Sequence, residues 1–327
     1  MGAAADRASA GFPVTAGFPV TIEAPRGSEE STSDDAFLRW AKDQRPQLDA
    51  LLRREGAVLL RGFAARSAET FERLVQGYGQ RLMSYAGGNS PRVRVRGNVY
   101  TSTEYPRQQE ISLHHELSYG ARWPRHLFFF CGRVADQGGE TTIASGRRVT
   151  RRLPPRLVDR FAERGVRYVQ HLHAGKGFGR SWQETFETES PEQVEALCRD
   201  QGMAFSWGPK RDLHLEHKGV GSIVHPETGE RLWFNQAEQW HPSSLDPELE
   251  STLRECLPAA ELPLNSFYGD GGELDVDDLR VVREACRAEA VDVRWQTHDV
   301  LVIDNLLVLH GRRPFQGTRQ VLVGMVA

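Results

Sequence analysis

The stretch "ISLHHELSYG", residues 111–120, places two histidines and a glutamate side by side in a segment typical of a β-strand. In an extended chain alternate side chains share a face, so we expect His114 and Glu116 to point together and His115 to point the other way. A zinc-protease helix would need its second histidine where Tyr119 stands. The stretch therefore predicts half of a metal site on a strand, with another ligand elsewhere in the chain.

The C-terminal stretch "VLVIDNLLVLHGRRPFQGTR", residues 300–319, supplies the candidate third ligand, His310. Two histidines and one carboxylate form the facial triad that binds Fe(II) and leaves three positions open for a chelating cosubstrate and O2. Arg319 could hold a carboxylate through two parallel hydrogen bonds, and Arg312 and Arg313 are rivals for that role. The two ends of the domain are thus predicted to meet at one iron site.

Two polar residues, Asp304 and Asn305, precede the strand that carries His310. Residues of this kind close tight turns, and they also orient metal ligands by hydrogen bonding to them. Both interpretations remain open from the sequence.

Seven motifs in the same order resemble the taurine dioxygenase (TauD/TfdA) family of Fe(II)- and 2-oxoglutarate-dependent oxygenases, and within it the clavaminate-synthase-like branch that includes the hydroxylase of syringomycin biosynthesis. The likeness extends from about residue 20 to the end of the chain. The motifs are "GNVYTSTEYPRQQEISLHHELSY", "RHLFFFC", "GGETTIAS", "SWQETFET", "WFNQ", "FYGDG" and "DNLLVLHGRRPFQGTR".

This resemblance implies an α+β protein with a double-stranded β-helix (jelly-roll) core and flanking and inserted helices. It implies that His114, Glu116 and His310 bind Fe(II). It also assigns the 2-oxoglutarate carboxylate to Thr141, which follows the Gly-Gly-Glu turn, and to Arg319, which has the family's spacing from the distal histidine. The expected reaction consumes O2 and converts 2-oxoglutarate to succinate and CO2 while an unactivated C–H bond is oxidised.

Two other histidine clusters have metal-ligand spacing. They are His214 with Glu216 in "LHLEH", and His171 with His173 in "QHLHAG". Pairs of this kind are usually solvated on strands or loops, and the first lies in a strongly charged run. We therefore expect neither cluster to bind the metal.

The segment "RVRVRGN" alternates strictly and places Arg92, Arg94 and Arg96 on one strand face. This pattern is typical of a solvent-facing strand protected by charge, although it could also form a cationic wall for an anionic substrate. Polar residues near the metal motifs are further candidates for the substrate pocket. The predicted substrate residues are Arg94, Asn98, Tyr100 and Asn235.

Composition excludes several functional classes. The chain has 327 residues, of which 39% are hydrophobic and 26% charged, and a formal net charge of −3 that predicts no nucleic-acid partner. Its four cysteines are scattered without a Cys-x-x-Cys pair, so we expect reduced and mostly buried thiols. The N-terminus lacks a secretory signal and no apolar run could span a membrane, which predicts a cytoplasmic protein.

Residues 1–30 are rich in Ala, Gly, Pro and Ser, and "GFPVT" occurs in them twice. We expect a mobile N-terminal tail there, followed by a single oxygenase domain over residues 31–327. Strands at both ends, with helices between them, indicate one sheet-rich domain rather than two sequential ones.

The favoured function is hydroxylation of an amino acid or amino-acid-derived small molecule, free or attached to a carrier protein, in natural-product biosynthesis. Desaturation, epoxidation or cyclisation on the same iron is an alternative, and a non-catalytic jelly-roll binding protein is an alternative of another class. Because Glu116 fills the ligand position that iron halogenases leave to chloride, we expect hydroxylation rather than chlorination. The sequence leaves the oligomeric state open.

Overall fold

A computed structural model describes residues 12–79, 82–83, 92–103, 105–258 and 261–327. The strands are β1 Val14–Thr15, β2 Val20–Glu23, β3 Ala57–Arg61, β4 Arg94–Arg96, β5 Val99–Thr101, β6 Ile111–His114, β7 His126–Arg133, β8 Gln137–Gly138, β9 Thr141–Ser145, β10 Val166–Leu172, β11 Ala204–Trp207, β12 Leu213–Gly219, β13 Ser222–Val224, β14 Arg231–Trp233, β15 Leu264–Tyr268, β16 Val291–Val293, β17 Val300–Asp304, β18 Val308–Arg312, β19 Phe315–Gln316 and β20 Gln320–Val326.

The helices are α1 Glu29–Thr32, α2 Asp34–Asp43, α3 Arg45–Glu55, α4 Ala68–Tyr78, α5 Gly146–Arg152, α6 Pro155–Arg164, α7 Trp182–Phe186, α8 Pro191–Asp200, α9 Ala237–Trp240, α10 Pro247–Cys256 and α11 Val276–Ala288, with a 3₁₀ turn at Pro242–Ser244. Local signals set several boundaries. Ser67 and Ser190 cap α4 and α8 by accepting hydrogen bonds from backbone N–H groups of the first turn. Gly56 ends α3 in the left-handed conformation.

Two sheets pack face to face and form the core. The larger has the strand order β1-β2-β3-β17-β7-β20-β5-β4, and the smaller has the order β16-β9-β18-β6. Side chains from both sheets, such as Phe129, Ile303 and Val323 from the larger and Ile143 and Val308 from the smaller, form one buried cluster. The protein is therefore α+β, with a two-sheet core.

Strand β7 shows why its sequence is a continuous apolar run. Phe128 and Phe130 contribute to the buried cluster beneath helices α2, α3 and α4, whereas Leu127, Phe129 and Cys131 contribute to the cluster between the sheets. Because side chains alternate along a strand and both faces of β7 are covered, its buried middle, residues 127–131, is apolar at every position.

The second flank of the molecule lies against the outer face of the smaller sheet. Ala144 and Leu309 of that face share a buried cluster with side chains from α5, α6, α9 and α11, including Val149, Phe161 and Trp240. A further four-stranded sheet, β11-β12-β10-β15, follows on this side. Helices thus cover the outer faces of both core sheets.

The predicted tail boundary at residue 30 is wrong for the part of the chain that the structure describes. The Val-Thr pairs of the two "GFPVT" repeats lie in β1 and β2, which pair with each other, and β2 pairs in parallel with β3 of the larger sheet. Val20 and Ile22 are 3% and 1% exposed. Two apolar side chains alternating on a short strand are enough to join the core, which the surrounding Gly and Pro concealed. Residues 1–11 lie outside the described residues.

Two composition-based expectations can be compared with the described residues. Cys131, Cys198 and Cys286 are buried, Cys256 is exposed, and all four are free thiols. No described helix is both long and apolar enough to cross a membrane.

Candidate metal centre

His114 and His310 face each other across the smaller sheet. Strands β6 and β18 pair antiparallel with these two residues in direct register, and their ring centroids lie 4.4 Å apart. On β18 the residue two positions earlier, Val308, points into the core between the sheets, so His310 lies on the inner face. Gly311 permits this pairing, because a Cβ there would lie 2.4 Å from the carbonyl oxygen of Ile111.

Glu116 completes a group of three potential ligands. Its Oε2 is 3.4 Å from Nε2 of His310, and one ligand atom from each of His114, Glu116 and His310 lies within 4.8 Å of the others. Within the described ranges this is the only group of three or more His, Cys, Asp or Glu residues with such geometry. The structure thus places the three predicted ligand residues next to one another.

The orientation of Glu116 comes from a residue far away in sequence. Strand β6 ends at His114, so strand alternation alone does not position the carboxylate. Asn305 accepts a hydrogen bond from the Glu116 backbone N–H (2.8 Å) and donates to the Glu116 and Pro124 carbonyl oxygens (3.0 and 2.9 Å). The predicted orienting role therefore applies to Asn305, which has no hydrogen bond to the carboxylate but holds its backbone.

Asp304 has a different role from its neighbour. It is buried, forms an ion pair with Arg125 at 2.8 Å, and lies 3.2 Å from Nε2 of His225. Its Oδ1 also accepts a hydrogen bond from the Leu306 backbone N–H and so closes the turn. Of the two sequence interpretations, the turn applies to Asp304.

His115 points away from the ligand group, as predicted. Its side chain is fully buried, its Nδ1 lies 2.6 Å from the Asn305 carbonyl oxygen, and its ring contacts Phe234 with centroids 4.8 Å apart. Gln236 holds the same segment by donating to the His115 carbonyl oxygen at 2.6 Å. His115 therefore packs on the side of this segment away from the three potential ligands and is not one of them.

The electrostatics of the three residues suit a divalent cation. Burial, together with the neighbouring His310, lowers the pKa of His114 to about 3, so its imidazole is neutral at physiological pH. Burial alone would raise the pKa of Glu116, but Arg92 and the two histidines outweigh that effect and hold this pKa well below its usual range. A neutral imidazole and an ionised carboxylate are the ligand forms that bind metal.

The tautomer of His114 also fits this role. Its Nδ1 lies 2.8 Å from the Ser112 carbonyl oxygen, to which it can only donate. The proton therefore resides on Nδ1 and the lone pair on Nε2. On His310, Nδ1 is buried without a hydrogen-bond partner and Nε2 faces Glu116.

Arg319 and Thr141 lie beside the ligand group and contact each other. Nη2 of Arg319 is 3.4 Å from Oγ1 of Thr141, which also accepts a hydrogen bond from Nε1 of Trp295 at 3.1 Å. Burial and the nearby Arg312 lower the pKa of Arg319 to about 10, which leaves it cationic at neutral pH. The Gly-Gly turn is needed here because Gly139 has φ +75° and a Cβ on it would lie 3.0 Å from the Arg319 side chain.

The rival arginines have other partners. Arg312 donates to the carbonyl oxygens of Tyr105, Pro106 and Gln109 at 3.2, 2.9 and 2.9 Å, so it fastens the loop over the site. Arg313 forms surface ion pairs with Asp292 and Glu110. These contacts favour Arg319 for the carboxylate role.

A cavity of about 30 Å³ adjoins the ligand group, and a second of about 460 Å³ lies next to it. Both are lined by Ser102, Thr103, Arg312 and Arg319, so the two cavities share a wall. A separate apolar cavity of about 260 Å³ lies between α2, α3, α4 and the larger sheet. Its described wall contains no carboxylate or imidazole, and it therefore offers a metal ion no ligand.

The predicted substrate residues lie elsewhere. None of the four lines the cavities beside the ligand group. Arg94 is exposed over the ring of Tyr100, which is a core residue, and Asn98 donates to the Leu82 carbonyl oxygen. Asn235 is buried and bonds to the backbone of Gly221 and Ala237. Polarity near a motif in sequence did not place these side chains in the cavity: Arg94 is exposed, Tyr100 packs in the core, and both asparagines bond to backbone groups outside it.

Among the described residues, neither competing histidine cluster belongs to a group of three potential ligands. His171 and His214 stack across the β10–β12 pair with centroids 4.4 Å apart, and Glu216 forms an ion pair with Arg167 instead.

The sequence pattern missed Arg92, whose Nη2 lies 2.6 Å from Oε2 of Glu116. Strict alternation placed Arg92 at the surface, and no local signal distinguishes it from its exposed neighbours.

Comparison with known proteins adds independent findings. The model of the family described as "Taurine catabolism dioxygenase TauD, TfdA family" matches residues 22–326. Dapdiamide synthesis protein DdaC of Enterobacter agglomerans is 34% identical over 281 residues, covering 85% of this chain and 84% of that protein. A clavaminate synthase-like protein of Arabidopsis thaliana is 35% identical over 301 residues, covering 88% and 87%.

Two solved structures share the fold. One is PvcB, described as an Fe, α-ketoglutarate-dependent oxygenase from an isonitrile synthetic pathway, with a TM-score of 0.52, 17% identity, and coverage of 94% of this chain and 84% of that one. The other is asparagine oxygenase in complex with Fe(II), 3-hydroxyasparagine and succinate, with a TM-score of 0.53, 14% identity, and coverage of 94% and 93%.

Proposed function

The chain belongs to the TauD/TfdA family of dioxygenases, and we propose that it hydroxylates an unactivated C–H bond of an amino acid or amino-acid derivative. Its cofactors are Fe(II), the cosubstrate 2-oxoglutarate and O2. The observation that carries the proposal is the buried group of His114, Glu116 and His310 beside a buried arginine–threonine pair.

The three ligand residues have assigned atoms. Nε2 of His114, Oε2 of Glu116 and Nε2 of His310 would hold Fe(II), while the Ser112 carbonyl oxygen fixes the His114 ring and the Asn305 side chain fixes the Glu116 backbone. When bound, Fe(II) with 2-oxoglutarate and O2 supplies oxidative decarboxylation to succinate and CO2, with one oxygen atom going to succinate and the other to the substrate. The protein's own part is to keep the His114 imidazole neutral and the Glu116 carboxylate ionised.

Arg319 and Thr141 hold the distal carboxylate of 2-oxoglutarate. The guanidinium is buried and cationic, and a hydroxyl beside it offers a further donor. Arg319 is itself held by Gly139, whose carbonyl oxygen accepts from Nε at 2.8 Å, and by Ser102, whose Oγ accepts from Nη1 at 3.1 Å. A carboxylate bound here would replace weak contacts of the guanidinium by charge-assisted ones.

The two-sheet core supports the assignment of a jelly roll. In that arrangement His114 and His310 lie on neighbouring strands of the smaller sheet and face inward, where the larger sheet contributes Phe129 at 5.3 Å from the His310 ring. An apolar wall opposite a metal site limits the access of water, and an oxidising reaction requires that water be kept out.

An amino-acid-type substrate is supported by the relatives. DdaC is named for dapdiamide synthesis, and the asparagine oxygenase structure contains a hydroxylated asparagine. We place the reaction in natural-product biosynthesis, which the name of DdaC supports, on a substrate that is free or joined to a carrier protein. The ionised carboxylate of Glu116 at the third ligand position supports hydroxylation over chlorination, because no ligand position is left for chloride.

The test combines succinate release with product mass. The purified protein is incubated with Fe(II), 2-oxoglutarate, O2 and chloride against amino acids and carrier-bound aminoacyl thioesters. We expect substrate-dependent succinate and a product that is heavier by one oxygen atom, with both lost in His310→Ala. A product lighter by two hydrogens would indicate a desaturase or cyclase, a chlorinated product a halogenase, and no succinate with any substrate a non-catalytic binding protein.

A further inference from the structure

Arg92 is buried against the carboxylate that would bind the metal. Its side chain is 4% exposed, and its Nη2 lies 2.6 Å from Oε2 of Glu116. That same oxygen lies 3.4 Å from Nε2 of His310. The guanidinium is therefore bound at the carboxylate oxygen that faces the histidine, on the metal side of Glu116.

A divalent cation and this guanidinium compete for the same anion. A metal ion bound between Glu116 and His310 would place two positive charges within a few ångströms of Arg92, in a buried site where charges are weakly screened. The repulsion is relieved when Arg92 leaves Oε2 for another anion. Metal binding and the capture of an anion by Arg92 are therefore coupled.

The cavity that Arg92 lines is where such an anion would bind. Arg92 lines the cavity of about 30 Å³ together with His114, Thr141, His310 and Arg319. This volume is about that of one water molecule, too small for an amino acid or for 2-oxoglutarate. Movement of a lining side chain would enlarge this space, and Arg92 is the lining cation that a bound metal would repel.

The three arginines of this cavity have different assignments. Arg319 with Thr141 takes the distal carboxylate of 2-oxoglutarate, and Arg312 is bonded to the carbonyl oxygens of the overlying loop. Arg92 is left to recognise a second carboxylate. Two sources have this chemistry: the substrate, and the carboxylate of 2-oxoglutarate that chelates iron.

We propose that Arg92 exchanges Glu116 for a free carboxylate of the substrate and so makes substrate binding and metal binding mutually reinforcing. The proposal rests on the function proposed above. It restricts the substrate to molecules with an ionised carboxylate, such as a free amino acid or a carrier-bound residue with an acidic side chain. A carrier-bound aminoacyl thioester without an acidic side chain has no free carboxylate for Arg92 to bind.

The first experiment measures metal affinity without turnover. Mn(II), a redox-stable substitute for Fe(II), is titrated calorimetrically into the metal-free wild type, Arg92→Met and the exposed control Arg94→Met. We expect Arg92→Met to bind Mn(II) about tenfold more tightly, within the usual range of coupling between linked sites, and Arg94→Met to match the wild type. Equal affinities in all three would overturn the competition.

The second experiment identifies the carboxylate. Mn(II) affinity is measured again with 2-oxoglutarate alone, and then with amino acids presented as free acids or as carboxamides. We expect a preferred free acid to raise the Mn(II) affinity of the wild type further, its carboxamide to have no effect, and Arg92→Met to lose the difference. If 2-oxoglutarate alone produces the whole Arg92-dependent gain, or if acids and carboxamides act equally, the substrate assignment is wrong.

These measurements also distinguish a failure of the proposed Arg92 exchange from a failure of the proposed function. If wild type and His310→Ala bind Mn(II) with the same affinity, the metal centre itself is refuted, and the inference with it. If His310→Ala loses Mn(II) and the wild type forms succinate, the proposed function stands. In that case an Arg92→Met variant that keeps the wild-type KM for a carboxylate substrate would refute the inference alone.

Discussion

Replacing Asn305 by alanine should weaken metal binding, although Asn305 is not expected to touch the metal. The side chain accepts from the Glu116 backbone N–H and donates to the carbonyl oxygens of Glu116 and Pro124. The residue is fully buried. Asn305→Ala therefore leaves three backbone groups without partners in a region that water reaches poorly.

The magnitude can be worked from these contacts. A buried backbone group that loses its partner costs at least about 1–1.5 kcal/mol, which gives about 3–4.5 kcal/mol or more for the three. Loss of an orienting contact behind a metal ligand typically lowers metal affinity about 10- to 100-fold. We expect both effects in Asn305→Ala, measured by urea unfolding and by Mn(II) calorimetry at a temperature where circular dichroism shows a folded protein.

Asn235→Ala is the matched control. Asn235 is also a buried asparagine, and its side chain also holds two backbone groups, those of Gly221 and Ala237, but it does not contact a ligand residue. Two lost hydrogen bonds should cost about 2–3 kcal/mol of stability. Its Mn(II) affinity should stay within about twofold of the wild type, since the orienting contact is intact. Equal losses of metal affinity in the two variants would refute the reasoning, because a general loosening of the fold would then explain both.

Three further outcomes are expected. His310→Ala should lose Mn(II) binding in calorimetry, whereas His214→Ala should keep it; a metal-free His214 variant would reassign the ligands. Arg319→Ala should raise the KM for 2-oxoglutarate about 10- to 100-fold through the loss of a charge-assisted pair, and a larger effect in Arg313→Ala would move the clamp to that residue. Burial lowers the pKa of His217 to about 4, so its contribution to stability is present above the unfolded pKa of about 6.5 and is lost progressively as the pH falls toward 4, by up to about 3 kcal/mol. Urea unfolding at pH 7 and pH 4.5 should therefore show a smaller pH dependence in His217→Gln than in the wild type, and an unchanged slope would contradict this source of acid sensitivity.

Some features of the fold are local and were predictable from short stretches of sequence. Ser67, Gly56 and Ser190 mark helix ends because a cap needs only a side chain or a left-handed residue within one turn. The apolar run of β7 indicates a strand covered on both faces. Larger arrangements were less predictable: residues 20–23 join the sheet through parallel pairing with β3, a contact that no local pattern specifies.

The same division applies to the metal centre. The sequence by itself indicated the ligand types, because the segments around His114, Glu116 and His310 are among seven motifs that resemble one family from about residue 20 onward. Tertiary structure alone decided that Asn305 positions Glu116, that Arg92 is buried against it while Arg94 stays exposed, and that Arg312 fastens a loop. The physical reason is the distance along the chain over which each kind of contact acts. Spacing along a strand fixes which side chains share a face, whereas the partners of a buried arginine or asparagine depend on which distant strands pair and what their pairing encloses.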